Sequence, residues 1–337
     1  MITVFHDAQR LHDPQFFLSS GSPKPCPERP ARIDALLSAT HRHGLPTQSP
    51  PDTGLDAIAA IHPSRYLSFL QTILQRWQHI DGASSEVIPN IHPATRHDGY
   101  PLSAVGQAGF HMTDTSSPIG PQTWTAAYHS AQTAIHVANL TLQNQPAYAL
   151  CRPPGHHAFA DLAGGFCYLN NSAIAAQHLT RHGRRTAILD VDLHHGNGTQ
   201  GIFYTRPDVL TLSIHAHPER FYPFFWGYPQ ERGQDAGHGA NLNLCLARGT
   251  ADAGFLTALD HALTAITLWG ADTLVLALGL DTFDGDPFAG LAVTTNGFAQ
   301  IGKAIASLNL PTLIVQEGGY LCPELGDNLT AVLKAFL

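Results

Sequence analysis

Two histidines stand side by side in the stretch RPPGHHAF, at positions 156 and 157. Consecutive side chains on a strand point to opposite faces, so an adjacent pair is an unusual way to serve one site. Imidazole can ligate a metal or carry a proton near neutral pH. The pair could therefore be metal ligands, an acid–base pair or two unrelated polar residues, and its partners must come from elsewhere in the chain.

A second group of reactive residues lies in LDVDLHHGNG, where Asp190, Asp192 and His194 alternate and so share one face of an extended chain. Crowded carboxylates repel one another unless a cation lies nearby. Asp192, His194 and Asp281 offer an oxygen, a nitrogen and an oxygen, which with one open position is the layout of a catalytic zinc site. Taken alone, Asp192 could instead cap the next helix, with His194 a hydrogen-bonded polar residue.

The elements that must position these residues alternate between strands and helices. Apolar runs predict strands at 148–151, 186–193, 209–217, 272–281 and 311–320, and helical patterns lie between them at 168–182, 251–269 and 294–308. Near-continuous apolar strands separated by helices are typical of a parallel sheet covered on both faces. We predict an α/β fold with a central, mostly parallel sheet and helices on both faces, formed by one domain over residues 1–337.

Each predicted strand ends in polar residues, and in open α/β sheets ligands bind outside the carboxyl ends of the strands. We therefore expect one sheet edge to collect His156 and His157, Asp190 to His195, Ser213 and His215, Asp281, and Glu317 to Tyr320. This convergence favours the metal interpretation of Asp192, His194 and Asp281.

The N-terminal part is less regular. PERPARIDALLSATHRHG indicates a loop and then a helix that ends at Gly44, and residues 121–144 form a long helical pattern with Pro121 at its start. Between them, about 81–120 is rich in Gly, Pro, His and Asp and resembles an insertion. Such a long loop in a compact protein is usually functional or mobile.

The composition disfavours several functional classes. Charged residues make up 13% of the 337 residues and the net charge is −8, without a Lys/Arg run, so we expect no nucleic-acid partner. The 5 cysteines are scattered without CxxC, which indicates a reducing compartment. Without a signal-peptide pattern or an apolar run of about 18 residues, we expect a cytoplasmic protein that does not enter a membrane.

Five motifs, in their order and spacing, carry a family resemblance: RPPGHHA, GGFCYLNN, DVDLHHGNGTQ, GLDTFDGDP and EGGY. Together they resemble the zinc-dependent deacetylases of the histone deacetylase superfamily, over about residues 20–337. FFWGYPQERGQDAG, GLDTFDGDP and VQEGGYLCPELGDN look most like the bacterial acetylpolyamine amidohydrolase branch. The resemblance implies the arginase/deacetylase fold, one zinc ion per chain, structural potassium and a homodimer built by the 81–120 loop.

The resemblance also implies roles for individual residues. The zinc ligands would be Asp192, His194 and Asp281. The tandem pair His156 and His157 would flank the reacting water, with Asp190 behind His156, and Tyr320 would polarise the substrate carbonyl. The substrate would meet Gly165 and the aromatic walls Phe166 and Phe225. One potassium ion would bind Asp190, Ser213, the carbonyl of Ile214 and the backbone of Asp192 and His194, and a second would lie by Phe203, Arg206 and Val209.

One residue departs from the pattern of many deacetylases, in which Asp backs the second histidine. Here the matching residue is Asn197, and an amide cannot stabilise an imidazolium as a carboxylate does. We therefore predict that His157 has the lower pKa, is neutral at pH 7 and acts as general base and then acid. Asp190 would keep His156 charged.

The expected reaction hydrolyses an acetylated amine of the acetylpolyamine or acetyl-lysine type to acetate and free amine. Candidate carboxylates for a cationic substrate tail are Glu28, Glu86, Asp98 and Asp114, each of which could instead be a solvated surface charge. Alternatives are a deacetylase of acetylated proteins, a binuclear manganese ureohydrolase, or an inactive binder of acetylated amines. A ureohydrolase needs a second Asp where this chain has Gly196, and inactive relatives usually lose a ligand, the His pair or the Tyr.

Overall fold

The structure, a computed structural model, describes residues 1–337 and contains ten strands. In chain order they are β1 (Ile2–Val4), β2 (Phe16–Ser19), β3 (Ser22–Pro25), β4 (Thr47–Gln48), β5 (Ala147–Ala149), β6 (Thr186–Asp190), β7 (Val209–Ala216), β8 (Asn241–Leu246), β9 (Thr273–Leu278) and β10 (Thr312–Gln316). Eight of them form one sheet in the order β4-β1-β5-β10-β9-β6-β7-β8, and β2 pairs with β3. All neighbours in the large sheet are parallel, as the sequence predicted.

Ten α-helices surround the sheet. They are α1 (Ala31–Arg42), α2 (Asp56–Ala59), α3 (Ser64–Trp77), α4 (Ala104–His111), α5 (Thr123–Leu142), α6 (Asn171–Arg181), α7 (Asn197–Phe203), α8 (Asp252–Trp269), α9 (Thr295–Ala306) and α10 (Leu325–Leu333). None of these helices combines the length and apolar character that a membrane crossing requires.

Strand β6 shows why the central strands are apolar on both faces. Ile188 belongs to a core shared with α3, α5 and α6, whereas Ala187 and Leu189 belong to a core shared with α1, α8, α9 and α10. Successive side chains on a strand point to opposite faces, so both halves of the alternation are buried. The prediction of helices on both faces of the sheet is confirmed.

The predicted helices exist, and side-chain caps set some of their starts. Asn170 accepts a hydrogen bond from Ala173 N at 2.9 Å, so α6 begins at Asn171 and not at 168. Thr294 accepts one from Gly297 N at 3.0 Å and starts α9. Such caps satisfy backbone donors that have no partner inside the helix. The sequence did not predict the strands β1, β2, β3, β4 and β8 or the helices α2, α3, α7 and α10.

The stretch from 81 to 120 differs from the expected loop because it contains α4. Its ends are joined where Val87 and Ile119 exchange backbone hydrogen bonds of 3.0 and 3.1 Å. Two glycines in α4, Gly106 and Gly109, lower its helix propensity and hid it from the sequence pattern. Gly109 permits close packing, since a Cβ there would lie 1.9 Å from the carbonyl oxygen of Ile91.

Candidate active site

The four central strands β5, β10, β9 and β6 are neighbours in the sheet, and their carboxyl ends lie on one edge. The segment after β5 carries His156 and His157, and the segment after β10 carries Tyr320. Asp281 follows β9, and Asp192 with His194 follows β6. Parallel strand order therefore assembles residues that lie up to 164 positions apart in the chain.

Asp192, His194 and Asp281 form a buried group whose ligand atoms all lie within 4.8 Å of one another. His194 Nδ1 is 3.2 Å from Asp192 Oδ1 and 3.1 Å from Asp281 Oδ2. The remaining carboxylate oxygens are held by the backbone: Gly318 N donates to Asp192 Oδ2 at 2.8 Å, and Leu193 N donates to Asp281 Oδ1 at 3.1 Å. Two buried carboxylates aimed at one imidazole fit a metal ion.

The two adjacent histidines have different partners. His156 Nδ1 donates to Asp190 Oδ2 at 2.9 Å, and His157 Nδ1 donates to Asn197 Oδ1 at 2.7 Å. Their rings lie 4.0 Å apart, and both are buried. Because each Nδ1 is engaged, Nε2 is the nitrogen of each ring that remains for proton transfer.

Burial and the neighbouring charges separate the proton affinities of the two rings. Burial alone would lower the pKa of His156, but the carboxylates of Asp192 and Asp190 raise it to about 10. Burial holds the pKa of His157 well below its usual range, and the charges of His156 and His194 lower it further. These opposite shifts favour a proton on His156 and a neutral ring at His157.

A cavity of about 470 Å³ extends from this edge to the surface. Its buried end holds His157, His194 and Tyr320, and its exposed end includes Phe225, whose side chain is 86% exposed. Phe166 and Gly165 also line it. Gly165 has a φ of +54°, and a Cβ there would lie 2.3 Å from the ring of His157, so only glycine lets the wall approach the histidine.

Comparison with known proteins decides the family. The histone deacetylase domain matches residues 26–336 of the chain. The chain belongs to the histone deacetylase family.

Within this family the chain resembles enzymes over its full length. An acetylpolyamine amidohydrolase of Burkholderia pseudomallei is 45% identical, with 100% of this chain and 98% of the relative covered. Acetylpolyamine amidohydrolase 1 of Pseudomonas aeruginosa is 42% identical, with 100% and 99% covered. The crystal structure of an acetylpolyamine aminohydrolase from Burkholderia pseudomallei superposes with a TM-score of 0.96 at 44% identity, with 100% and 98% covered.

Several aromatic residues that line this cavity were not predicted from the sequence, and Tyr222 is the one that contacts His157. Tyr222 stands edge-on to His157, with ring centroids 4.9 Å apart and planes at 89°. Its hydroxyl donates to Asp114 Oδ2 at 2.6 Å, and the same oxygen accepts from Gly165 N at 3.2 Å. Tyr222 lies three residues before Phe225 in an aromatic run, so the sequence offered no signal to choose between them.

The structure separates the four carboxylates considered for a cationic substrate tail. Asp114 lines the cavity, whereas Glu28, Glu86 and Asp98 do not. Glu28 is fully buried and Glu86 is 6% exposed, so the surface-charge interpretation is wrong for both. Glu28 Oε1 instead accepts from Arg32 Nη1 at 2.8 Å and Arg152 Nε at 2.9 Å, because a buried carboxylate needs charged partners.

The residues expected around potassium lie behind the histidines. Asp190 and Ser213 are register partners on the neighbouring strands β6 and β7. The Ser213 hydroxyl lies 2.8 Å from His215 Nδ1, and Ile214 is fully buried. At the second expected site, Phe203 lies under the Arg206 guanidinium, which pairs with Asp208 at 2.6 Å, and Val209 begins β7.

Proposed function

We propose that this chain hydrolyses the acetyl amide of acetylated polyamines and similar small acetylated amines to acetate and the free amine. The observation that carries the proposal is the cavity, whose buried end brings together His157, Tyr320 and His194, the last a member of the metal-type residue group. The 42–45% identity to acetylpolyamine amidohydrolases over the full chain supports the same activity.

The metal centre would be Asp192, His194 and Asp281. We propose zinc, because three N and O ligands with one open position are typical of catalytic zinc sites. When bound there, the ion would polarise the acetyl carbonyl and lower the pKa of a bound water to about 7. A second metal is disfavoured because a ureohydrolase needs an extra carboxylate at position 196. A Cβ at Gly196 would lie 2.3 Å from Asp190 Oδ2, so this site has no room for that side chain.

His157 is the proposed general base. Its Nδ1 donates to Asn197, so Nε2 carries the lone pair, and its lowered pKa keeps the ring neutral at pH 7. It would take a proton from the attacking water and return it to the leaving nitrogen, which departs as an amine. His156, held charged by Asp190, would stabilise the developing negative charge without transferring its proton.

Tyr320 is the proposed hydrogen-bond donor to the carbonyl oxygen. Burial raises the pKa of its hydroxyl well above 10, and Asp281 and Asp192 add to the effect, so the hydroxyl keeps its proton. Its ring is fixed edge-on to Phe288, with centroids 4.7 Å apart. A donor held in place before the oxyanion forms typically lowers the barrier by about 3–4 kcal/mol.

Asp114 is the proposed recognition group for a cationic tail, because it is the one carboxylate among the cavity-lining residues. A single carboxylate between aromatic walls suits a flexible amine better than a bulky acetylated protein. The test compares kcat/KM for N-acetylputrescine, N8-acetylspermidine and an acetyl-lysine peptide. We expect the small amines to be preferred, and a peptide preference of about tenfold, or about 1.4 kcal/mol, would favour the protein-deacetylase alternative.

Three further features are proposed from the family resemblance. Potassium would bind at Asp190 and Ser213, and the enzyme would be a cytoplasmic homodimer. Sedimentation of the purified chain tests the dimer, and elemental analysis after dialysis tests potassium. A catalytically inactive binder is disfavoured because the metal-type group, both histidines and Tyr320 are all present and assembled.

A further inference from the structure

Glu317 is a fully buried carboxylate with no part in the chemistry described so far. It follows β10 directly and precedes Tyr320 by three residues. Its side chain contacts a different segment, the one after β5. Glu317 Oε2 accepts from the backbone N–H of Gly155 at 2.7 Å and of His156 at 3.0 Å.

The other oxygen of Glu317 is also engaged. Oε1 accepts from the Ser172 hydroxyl at 2.7 Å, and Ser172 lies in the first turn of α6. All three hydrogen bonds are buried, where bonds to a carboxylate are strong. A single side chain therefore connects the Tyr320 segment, the histidine segment and a helix.

A second connection joins the same two segments from the N-terminal side. Glu28 pairs with Arg152, four residues before His156, and with Arg32. Arg32 in turn donates to the carbonyl oxygens of Glu317 at 2.7 Å and Gly319 at 2.6 Å. The Tyr320 segment is thus held on its carbonyls by Arg32 and through its own carboxylate by the histidine segment.

The connection matters because neither segment is a helix or a strand, and the Tyr320 segment contains two consecutive glycines. Gly319 has a φ of +105°, and Gly318 precedes it, so this segment depends on hydrogen bonds to hold its conformation, one of them from Tyr320 N to Asp286 Oδ2 at 2.9 Å. Hydrolysis needs the base and the carbonyl donor at a fixed separation around one amide. A misplacement of about 1 Å can cost about 10²-fold in rate.

We propose that Glu317 is a positioning residue that fixes the His156–His157 pair relative to Tyr320. The proposal rests on the proposed function, since it takes these three residues to carry the hydrolysis. It assigns Glu317 an effect on turnover and not on substrate binding, because Glu317 is absent from the cavity lining.

Four variants test the proposal. Glu317→Ala removes all three hydrogen bonds. Glu317→Gln keeps an acceptor for Gly155 and His156, and its amide can donate to the Ser172 oxygen. Glu317→Asp keeps the charge but is one methylene too short, and Ser172→Ala removes only the outer bond. For each, kcat and KM are measured for an acetylated amine and expressed per folded chain that carries its metal.

We expect Glu317→Ala to lower kcat by about 10- to 100-fold with KM unchanged, and Glu317→Gln and Ser172→Ala to stay within about threefold of wild type. An unchanged kcat in Glu317→Ala, or an equal loss in Glu317→Gln, would overturn the proposal. If the alanine variant does not fold, an aspartate variant slower than the glutamine variant supports it, and a faster one overturns it. A wild type that releases no acetate would instead refute the proposed function.

Discussion

The side-chain amide of Asn197 accepts a hydrogen bond of 2.7 Å from His157 Nδ1. A carboxylate in the same place would stabilise the protonated form of the ring. Beside it, His156 faces the carboxylate of Asp190 at 2.9 Å. Two identical residues, adjacent in the chain, therefore differ in their hydrogen-bond partners, and their charged neighbours and burial move their pKa values in opposite directions. The proposed mechanism depends on this asymmetry, since a base must be neutral and an electrostatic stabiliser charged.

Replacing Asn197 with Asp should make His157 harder to deprotonate. A general base is active only when unprotonated, so the acid limb of kcat/KM lies at the base's pKa. The pKa of His157 is held low, so the wild-type limb should fall below about 6.5, the usual imidazole value. In Asn197→Asp the new carboxylate should raise the pKa and move the limb upward by about 1–3 pH units.

The control for this pH profile is Asn197→Ala, which removes the hydrogen bond but adds no charge. It should lower the rate without moving the acid limb upward. An acid limb in Asn197→Asp at the wild-type position would show that His157 is not the base.

Replacing Tyr320 with Phe should remove one hydrogen-bond donor and little else, because the ring keeps its contacts with Phe288 and Phe166. We expect kcat to fall by about 10²–10³-fold, with KM and metal content near those of wild type. Steady-state kinetics with metal analysis of the same sample measures both. A loss confined to KM would assign Tyr320 to substrate binding alone.

Replacing Asp114 with Asn should weaken recognition of a charged tail. The amide keeps an acceptor for the Tyr222 hydroxyl but loses the negative charge in the cavity. We expect KM for N-acetylputrescine to rise by about 5- to 50-fold, about 1–2 kcal/mol, while KM for uncharged N-butylacetamide stays near wild type. An equal rise in KM for both amides would mean that Asp114 shapes the cavity and does not recognise the positive charge of the substrate.

Replacing Glu28 with Gln should destabilise the protein strongly. Glu28 is fully buried, and its loss leaves the guanidinium groups of Arg32 and Arg152 without a counter-charge. We expect the free energy of unfolding in urea to fall by about 3–5 kcal/mol. The exposed pair of Arg42 and Asp327 supplies the control, since Asp327→Asn should change stability by less than about 1 kcal/mol.

The pH dependence of the free energy of unfolding should reflect the ion pairs of Glu28 with Arg32 and Arg152. Burial alone would raise the pKa of Glu28, but Arg152 and Arg32 hold it below its usual value. A depressed carboxyl pKa stabilises the fold above the unfolded pKa of about 4.3 and loses that effect as the pH falls further. The difference in stability between wild type and Glu28→Gln should therefore be constant at neutral pH and shrink in acid.

The central sheet could be predicted because its strands are buried on both faces, and such strands consist of continuous runs of apolar residues. The polar residues that end those runs then indicated the site, since parallel strands bring their carboxyl ends to one edge. His157, Asp192 and Tyr320 were found in this way.

The remaining features depend on tertiary contacts that no local pattern records. Glu28 is buried because Arg152 reaches it from 124 positions away. Tyr222 is part of the cavity wall because of its hydrogen bond to Asp114, across 108 positions. Edge strand β4 has only two residues, too few to show a period.

The most direct test of the central claim is acetate release from N-acetylputrescine by the purified chain, before and after chelation of its metal. We expect one acetate per free amine, loss of turnover in the chelated protein, and recovery when one zinc ion per chain is restored. Turnover that persists in the metal-free protein, or activity that requires two manganese ions per chain, would contradict it.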